Sequence, residues 1–468
     1  MMTSWMPDLG VGAGPLYVRL ADQIERGIAN GHLPDGSKLP PQRNLAFDIG
    51  VTIGTVGRAY ALARERGLVT GEVGRGTYVR AARSPDLSQP PPFEHVESRH
   101  SAVDVIRFDT TAAPGDGIAA VVQTMTADIC RELPDAVASY IRTIPQHWLA
   151  SGARWLARAD WRPAAADIVP TQGAHAGIMS VIAATTTPGD RIVFEDLTYA
   201  SIARSAALMG RRAIVAQSDR DGLIPEDFER LCAQQHPKLV FLMPAPQNPT
   251  LAIMTEDRRR AVAEIARKHR VAILEDAVYG VLIDDPSPPL ASLAPDLVFH
   301  VGGLSKAVAA GLRAGWVACP PNFAGRVSVA HKMITGGKPF LVSEIAARLV
   351  LSGAAFDFRT ATLAAIASRV QLAREAFGGL DVRLHDSVPF LWLTLPEPWL
   401  SSAFKSAAAA ENILIDEEDD YRPVRSDKVH HAVRIGFSTV HDLGAVADGF
   451  NTLRRLLDQG PPAYDTYN

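Results

Sequence analysis

Apolar residues recur every four positions at Leu16, Leu20, Ile24 and Ile28, which lines one face of a helix. The turn PDGSKLPP at 34–41 ends it. A short helix is predicted over 42–49, and Gly50 breaks it. Thr52 stands where it can cap the next helix, in which Val56, Tyr60 and Ala63 share a face until Gly67. Then LVTGEVGRGTYV, 68–79, holds two β-rich runs around a Gly-Arg-Gly tip, the pattern of a hairpin. Helix, short helix, turn, helix and hairpin together form a winged helix-turn-helix pattern over 15–80. Such a pattern also fits a helical dimerisation or lid element.

The periodicity stops over 84–104, SPDLSQPPPFEHVESRHSAVD, where three consecutive prolines favour an extended, semi-rigid spacer. From 105 onward, short apolar runs alternate with helical patterns, which predicts an α/β domain with a mainly parallel sheet. Strands are expected at 168–170, 239–243, 271–276 and 297–301, with another opening RIVFEDLTYASIARSA at 191. An apolar helix is expected from Gly173, and a charged amphipathic helix with a solvated outer face over 255–270. A smaller C-terminal subdomain is expected over about 340–468. Its helices fall near 341–353, 361–377, 398–411 and 442–457, and its strands near 388–395 and 430–439. The acidic DEEDDY, 416–421, reads as a solvated loop, because no His or Cys accompanies it at ligand spacing.

Composition changes this picture at three points. The chain has 468 residues, 47% apolar and 21% charged, enough for two or three domains with full cores. Net charge is −4 overall, yet residues 1–83 carry 10 Lys+Arg against 7 Asp+Glu, so the small module is +3 within an acidic chain. That asymmetry favours DNA contact by the module alone. Cys130, Cys232 and Cys319 are few, odd in number and far apart, which points to a reducing cytoplasm and to neither a disulfide framework nor a zinc cluster. The opening residues show no signal-peptide pattern, and no run of about 18 apolar residues predicts a membrane span.

Candidate chemistry centres on 296–320, DLVFHVGGLSKAVAAGLRAGWVACP. Lys306 follows a predicted strand, where its amine can form a Schiff base with an aldehyde cofactor. Arg313, seven residues on, can grip a phosphate by two parallel hydrogen bonds. Upstream, the start of the helix at Gly173 offers free backbone N–H groups to a phosphate. Tyr199 lies in a turn from which it can stack on a flat ring, or simply be buried. Asn248 sits between Gln247 and Pro249 at a strand end, where ligands of open α/β sheets bind. Asp276 ends a strand with Tyr279 three residues on. A buried aspartate there needs a partner, and a protonated pyridine nitrogen would serve.

Two family resemblances sharpen these readings. KLPPQRNLAFDIGV, TVGRAY, GLV and GRGTYV resemble the GntR-type DNA-binding domain. The resemblance implies that Arg43 meets phosphate or a base near the start of the second helix. It implies that Thr52, Thr55 and Arg58 lie on the recognition helix and that Arg75 sits at the wing tip. The family's usual arginine after the capping Ser/Thr is here Ile53, which can instead touch a thymine methyl.

The ordered set Gly173, Tyr199, Asn248-Pro249, Asp276 with Tyr279, Lys306 with Arg313, and VRIGF at 433–437 resembles fold-type I, aspartate-aminotransferase-like enzymes over 105–465. By that resemblance the cofactor is pyridoxal 5′-phosphate (PLP), held as an internal aldimine by Lys306. Asp276 would pair with the ring nitrogen, Asn248 and Tyr279 with the phenolic oxygen, and Tyr199 with the ring face. The phosphate would lie on the backbone of Ala174 and His175 with Ser305 and Arg313. Arg434 would take a ligand carboxylate, and Tyr140 would reach a partner subunit's phosphate. Three departures stand out. Gly303 replaces the usual serine, Ala174-His175 replaces a polar pair, and the glycine usual after Tyr140 is missing.

A GntR-type module linked to an aminotransferase-like domain resembles the MocR family of bacterial transcriptional regulators. That implies a cytoplasmic homodimer binding double-stranded DNA, with PLP and an amino-acid or amine effector controlling transcription. The alternatives are a working PLP-dependent aminotransferase with an accessory module, and a PLP storage protein, which would leave the +3 module without a role.

Overall fold

The structure is a computed structural model, and it describes residues 5–9, 14–72, 76–79, 105–426 and 428–461. The chain divides into two compact units, 1–100 and 101–468. Arg75 and the proline-rich segment 84–104 lie outside the described residues.

In the first unit, helix Leu16–Ala29 buries Leu20, Ala21, Ile24 and Gly27. Leu16 begins the predicted stripe but is 45% exposed. The stripe of a 3.6-residue helix drifts off a strict four-residue spacing, so small residues at 21 and 27 take the inner positions. Helix Gln42–Asp48 follows, and Gly50 turns with φ +67°. Helix Ile53–Glu65 is capped by Thr52, whose hydroxyl accepts from the Thr55 N–H at 3.2 Å. Val56, Tyr60 and Ala63 are buried as predicted, and the Tyr60 hydroxyl donates to the Pro40 carbonyl at 2.8 Å. Strands Val69–Glu72 and Gly76–Val79 pair antiparallel as the hairpin.

The second unit is built on a seven-stranded sheet. Its spatial order is Ile168–Thr171, Gly315–Ala318, Val298–Gly303, Ala272–Asp276, Leu239–Leu242, Arg191–Glu195 and Arg212–Ala216. Only Gly315–Ala318 runs antiparallel to its neighbours. The central strands are buried on both faces, as expected for a parallel sheet covered by helices. The helix Glu256–His269 has the solvated outer face its charges predict, with Asp257, Arg260, Glu264, Arg267 and Lys268 exposed, but one of its charges is turned inward. Arg259 is 2% exposed and paired with Asp285 beneath the helix.

A smaller antiparallel sheet orders Val382–Arg383, Phe390–Thr394, Ala432–Gly436 and Asp416–Glu417. Helices Ala354–Phe377, Ser401–Ala410 and Leu443–Gln459 accompany it. Helix Phe340–Ser352 instead belongs with the large sheet's layer. Its Glu344 accepts from the Trp148 indole and the His147 ring, both at 2.6 Å, on helix Gln146–Leu156. The acidic stretch 416–421 is not a solvated loop. Asp416–Glu417 is a strand and Glu418–Tyr421 a 3-10 turn, with Glu418 and Tyr421 at 2% and 5% exposure. Cross-strand pairing and capping groups draw Glu418 fully inward and Asp416, Glu417 and Asp420 partly so, while Asp419 stays exposed.

Candidate functional site

The large sheet ends in a cleft of about 320 Å³, and the elements around it explain which side chains enter. Strand Ala272–Asp276 delivers Asp276, and the following turn delivers Val278 and Tyr279. Strand Val298–Gly303 is followed by the turn carrying Ser305 and Lys306, and Arg313 precedes strand Gly315–Ala318. Asn248 comes from the turn after Leu239–Leu242, and Tyr199 from the turn after Arg191–Glu195. Helix Gly173–Thr185 points its first turn, with Ala174 and His175, at the same cleft. Arg434 enters from the small sheet. Every predicted cofactor or carboxylate residue except Tyr140 therefore lines one cavity. Tyr140 is 95% exposed on the surface.

Lys306 Nζ donates to Thr111 Oγ1 at 3.0 Å, and Thr111 Oγ1 lies 2.6 Å from the Tyr279 hydroxyl. The amine also sits over the Tyr279 ring, 5.1 Å from its centroid. Asp276 is 4% exposed, and burial pushes its carboxyl up to about 7 against the Val278 N–H, 3.2 Å away, and the Lys306 charge. It has no side-chain hydrogen-bond partner among the described residues. His175 is held below its usual range by burial and then by Arg313, and its ring meets Tyr199 edge-on at 6.4 Å.

Gly303 has a packing reason. A Cβ there would stand 2.8 Å from the Ala314 carbonyl oxygen, 3.5 Å from Gly315 Cα and 3.8 Å from Ala174 N, so backbone closes in on it from the neighbouring strand and from the start of helix Gly173–Thr185. A Cβ on Gly315 would likewise stand 2.8 Å from the Gly302 carbonyl oxygen, 2.9 Å from Gly173 C and 3.0 Å from Ala174 N. Close backbone approach therefore accounts for a glycine at this position.

Arg434 is already engaged. It donates to Asn248 Oδ1 at 3.0 Å, to the Asp109 carbonyl at 3.1 Å and to Asp416 Oδ2 at 2.5 Å. Asp416 is its direct cross-strand neighbour. The guanidinium also faces the Tyr421 ring at 5.1 Å. Tyr421 and Asp416 hold the arginine above its ordinary pKa although burial opposes them.

Sequence reasoning missed Thr111 and Asp416. Thr111 belongs to a stretch with no motif, just after Ile106–Arg107 pairs in parallel with Ile413–Leu414. Asp416 was visible only as one acid among several.

In the first unit, Arg43, Thr52 and Arg58 are exposed and Thr55 is half-buried. Ile53 is 47% exposed and Phe47 87%, both on the helix-turn-helix surface. Arg66 is held by Asp22 and Glu25 at 2.7 and 2.9 Å.

A large parallel sheet with a lysine beyond one strand and an aspartate at the end of the next defines an aminotransferase-like domain. Residues 153–448 match the family described as aminotransferase class I and II, and residues 16–79 match bacterial regulatory proteins, gntR family. The chain belongs to the aminotransferase class I and II family, in the MocR-type arrangement with a GntR helix-turn-helix ahead of that domain. It is 28% identical over 456 residues to the HTH-type transcriptional regulator YdeF of Bacillus subtilis, covering 97% of each chain. It is 26% identical over 371 residues to the HTH-type pyridoxine biosynthesis transcriptional regulator PdxR of Corynebacterium glutamicum, covering 76% of this chain and 79% of the relative. Among solved structures, LysN, an alpha-aminoadipate aminotransferase from Thermus thermophilus, superposes with a TM-score of 0.68 at 19% identity, covering 76% of this chain and 92% of that one. An archaeal alanine:glyoxylate aminotransferase gives 0.70 at 20%, with the same coverage. These two likenesses establish the fold as fold-type I.

Proposed function

We propose that this protein is a DNA-binding transcriptional regulator whose aminotransferase-like domain binds PLP, with an amino acid or amine as effector. One observation carries the reading. The chain that holds a helix-turn-helix with exposed Arg43 and Arg58 also holds a cleft in which a buried Asp276, without a side-chain partner, shares the walls with Lys306.

The residues present fit PLP. A carboxyl held at about 7 by burial is a group in need of a cationic partner, and a protonated ring nitrogen is one. The close backbone approach at Gly303 and Gly315 brings strand ends and helix start together, leaving free N–H groups for a phosphate. When bound, PLP supplies an aldehyde for amines and an electron-withdrawing ring. Lys306 would offer its amine to that aldehyde, with Thr111 holding the amine in place. Asp276 would hold the proton on the ring nitrogen. Asn248 and Tyr279 would bind the phenolic oxygen, and Tyr199 would cover a ring face. The N–H groups of Ala174 and His175, with Ser305 and Arg313, would hold the phosphate. Arg434 would orient a ligand carboxylate once Asp416 yields it. Tyr140 would act from the partner in a homodimer. Arg43, Thr52, Thr55, Arg58 and Arg75 would face operator DNA, which a cytoplasmic location would allow.

The test is binding of the purified chain to its own upstream DNA with and without PLP, at fixed salt. Specific binding whose affinity changes with PLP, and a Lys306→Ala variant that binds DNA but no longer responds, are expected. No specific binding would overturn the proposal. One observation favours a second reading, an aminotransferase: Lys306, Asp276 and Arg434 all line the cleft. Steady turnover with an amino-acid donor and a keto acid would establish it.

A further inference from the structure

A second cavity, of about 470 Å³, lies behind the PLP-type cleft, separated from it by the segment 275–280. The alternation of that segment divides the two. Asp276, Val278 and Tyr279 line the cleft, whereas Glu275, Ala277 and Gly280 line the cavity.

Most charges on the cavity wall are satisfied. Glu275 accepts from the N–H groups of Leu290 and Ala291 at 3.1 Å and from His300 Nδ1 at 2.8 Å. Arg259 is bound by Asp285 and by the carbonyls of Met254, Ser287 and Pro288. Two guanidiniums remain. Arg158 spends Nη1 on the Trp155 and Ala157 carbonyls, its buried Nε has no partner, and it forms no ion pair among the described residues. Burial, then the neighbouring Arg359 charge, draws its pKa down to about 10, so it is still a cation at neutral pH. Arg359 donates to the Val281 carbonyl and stands 3.4 Å from Asp284, whose side chain is fully exposed and therefore screened. His300 Nε2, also buried on this wall, lacks a partner. Between these polar atoms the surface is carbon: Phe356, Val281, Ile283 and Pro289.

A half-buried cation that forms no ion pair among the described residues, close to a second cation and offset only by the already bonded Glu275, is stabilised when an anion joins the two. The size suits a small molecule. We propose that this cavity is a second ligand site, for a small organic dicarboxylate held by Arg158 and Arg359 with its carbon chain against Phe356. Its placement gives it reach. Arg359 and Phe356 belong to the first turns of helix Ala354–Phe377, which runs on into the smaller subdomain. Arg359 also grips the chain just beyond Tyr279 through Val281. A ligand here ties that helix to the back of the segment bearing Asp276. The site is independent of the PLP reading.

The probe is radiolabelled succinate in equilibrium dialysis with the full chain, without PLP or DNA. One saturable site is expected, weakened about tenfold or more, roughly 1.4 kcal/mol, by Arg158→Gln and by Arg359→Gln, and unmoved by Arg434→Lys. If one glutamine variant fails to fold by circular dichroism, the other carries the comparison. Absence of saturable binding at about 10 mM, or loss only in Arg434→Lys, overturns the proposal. Displacement of succinate by equimolar inorganic phosphate overturns the dicarboxylate assignment.

Discussion

At the scale of single residues, the buried Asp276 makes the protein's stability depend on pH. Burial pushes its carboxyl up to about 7 in the folded chain, against about 3.9 in an unfolded one. The folded state thus keeps a proton that the unfolded state has released. The stability this provides is fully present below about pH 4 and is lost as pH rises towards 7, by roughly 4 kcal/mol at about 1.4 per unit. The melting temperature of the ligand-free chain should fall between pH 5 and 8, and Asp276→Asn should flatten part of that slope. Glu195, raised to about 8 by burial, acts in the same direction and leaves a remainder. Added PLP should also reduce the slope by pairing the carboxylate. Asp416 supports a second expectation. Because it holds Arg434 at 2.5 Å, a carboxylate bound there as proposed would have to compete with it. Asp416→Asn should raise amino-acid affinity about tenfold, roughly 1.4 kcal/mol, while PLP absorbance stays unchanged. Equal affinities in a titration would contradict that competition.

At the scale of elements, the hydrophobic period located the helices and strands, and steric detail set their ends and contacts. Helix Ile53–Glu65 starts where Thr52 caps it, so Thr52→Ala should cost about 1 kcal/mol in urea unfolding. Gly303 on Val298–Gly303 has backbone 2.8 Å from where a Cβ would stand. Gly303→Ser, though it restores the residue usual in the family, should therefore destabilise by about 1–3 kcal/mol and loosen PLP. A serine variant as stable as the parent would refute this packing account. Periodicity failed where the pattern was ambiguous. The acids at 416–421 read as solvent-facing, yet strand pairing beside Ala432–Gly436 turns Asp416 and Glu417 partly inward, and only Asp419 stays exposed. The charged helix Glu256–His269 buries one of its arginines, Arg259, because Asp285, 26 residues on, supplies its partner.

At the scale of the whole molecule, a +3 module is joined to a larger acidic domain, and salt dependence separates their contributions. Each phosphate contact steepens the slope of log K against log salt by about 0.9. Arg43→Ala should weaken operator binding and flatten that slope by about this amount, whereas Lys306→Ala should leave it alone. An unchanged slope in Arg43→Ala would remove that residue from the phosphate interface. By itself the sequence determined the order of elements, the winged helix-turn-helix, the mainly parallel sheet and most of the cleft. These follow from short-range rules: period, capping, turn chemistry, and functional groups carried at strand ends. Only the tertiary structure brought Thr111 to Lys306, set Asp416 against Arg434, excluded a side chain at 303 and left Arg158 with its buried Nε unpartnered behind the cleft. These depend on which distant segments pack together and on what burial does to a charge, and neither is written in the local pattern of a chain.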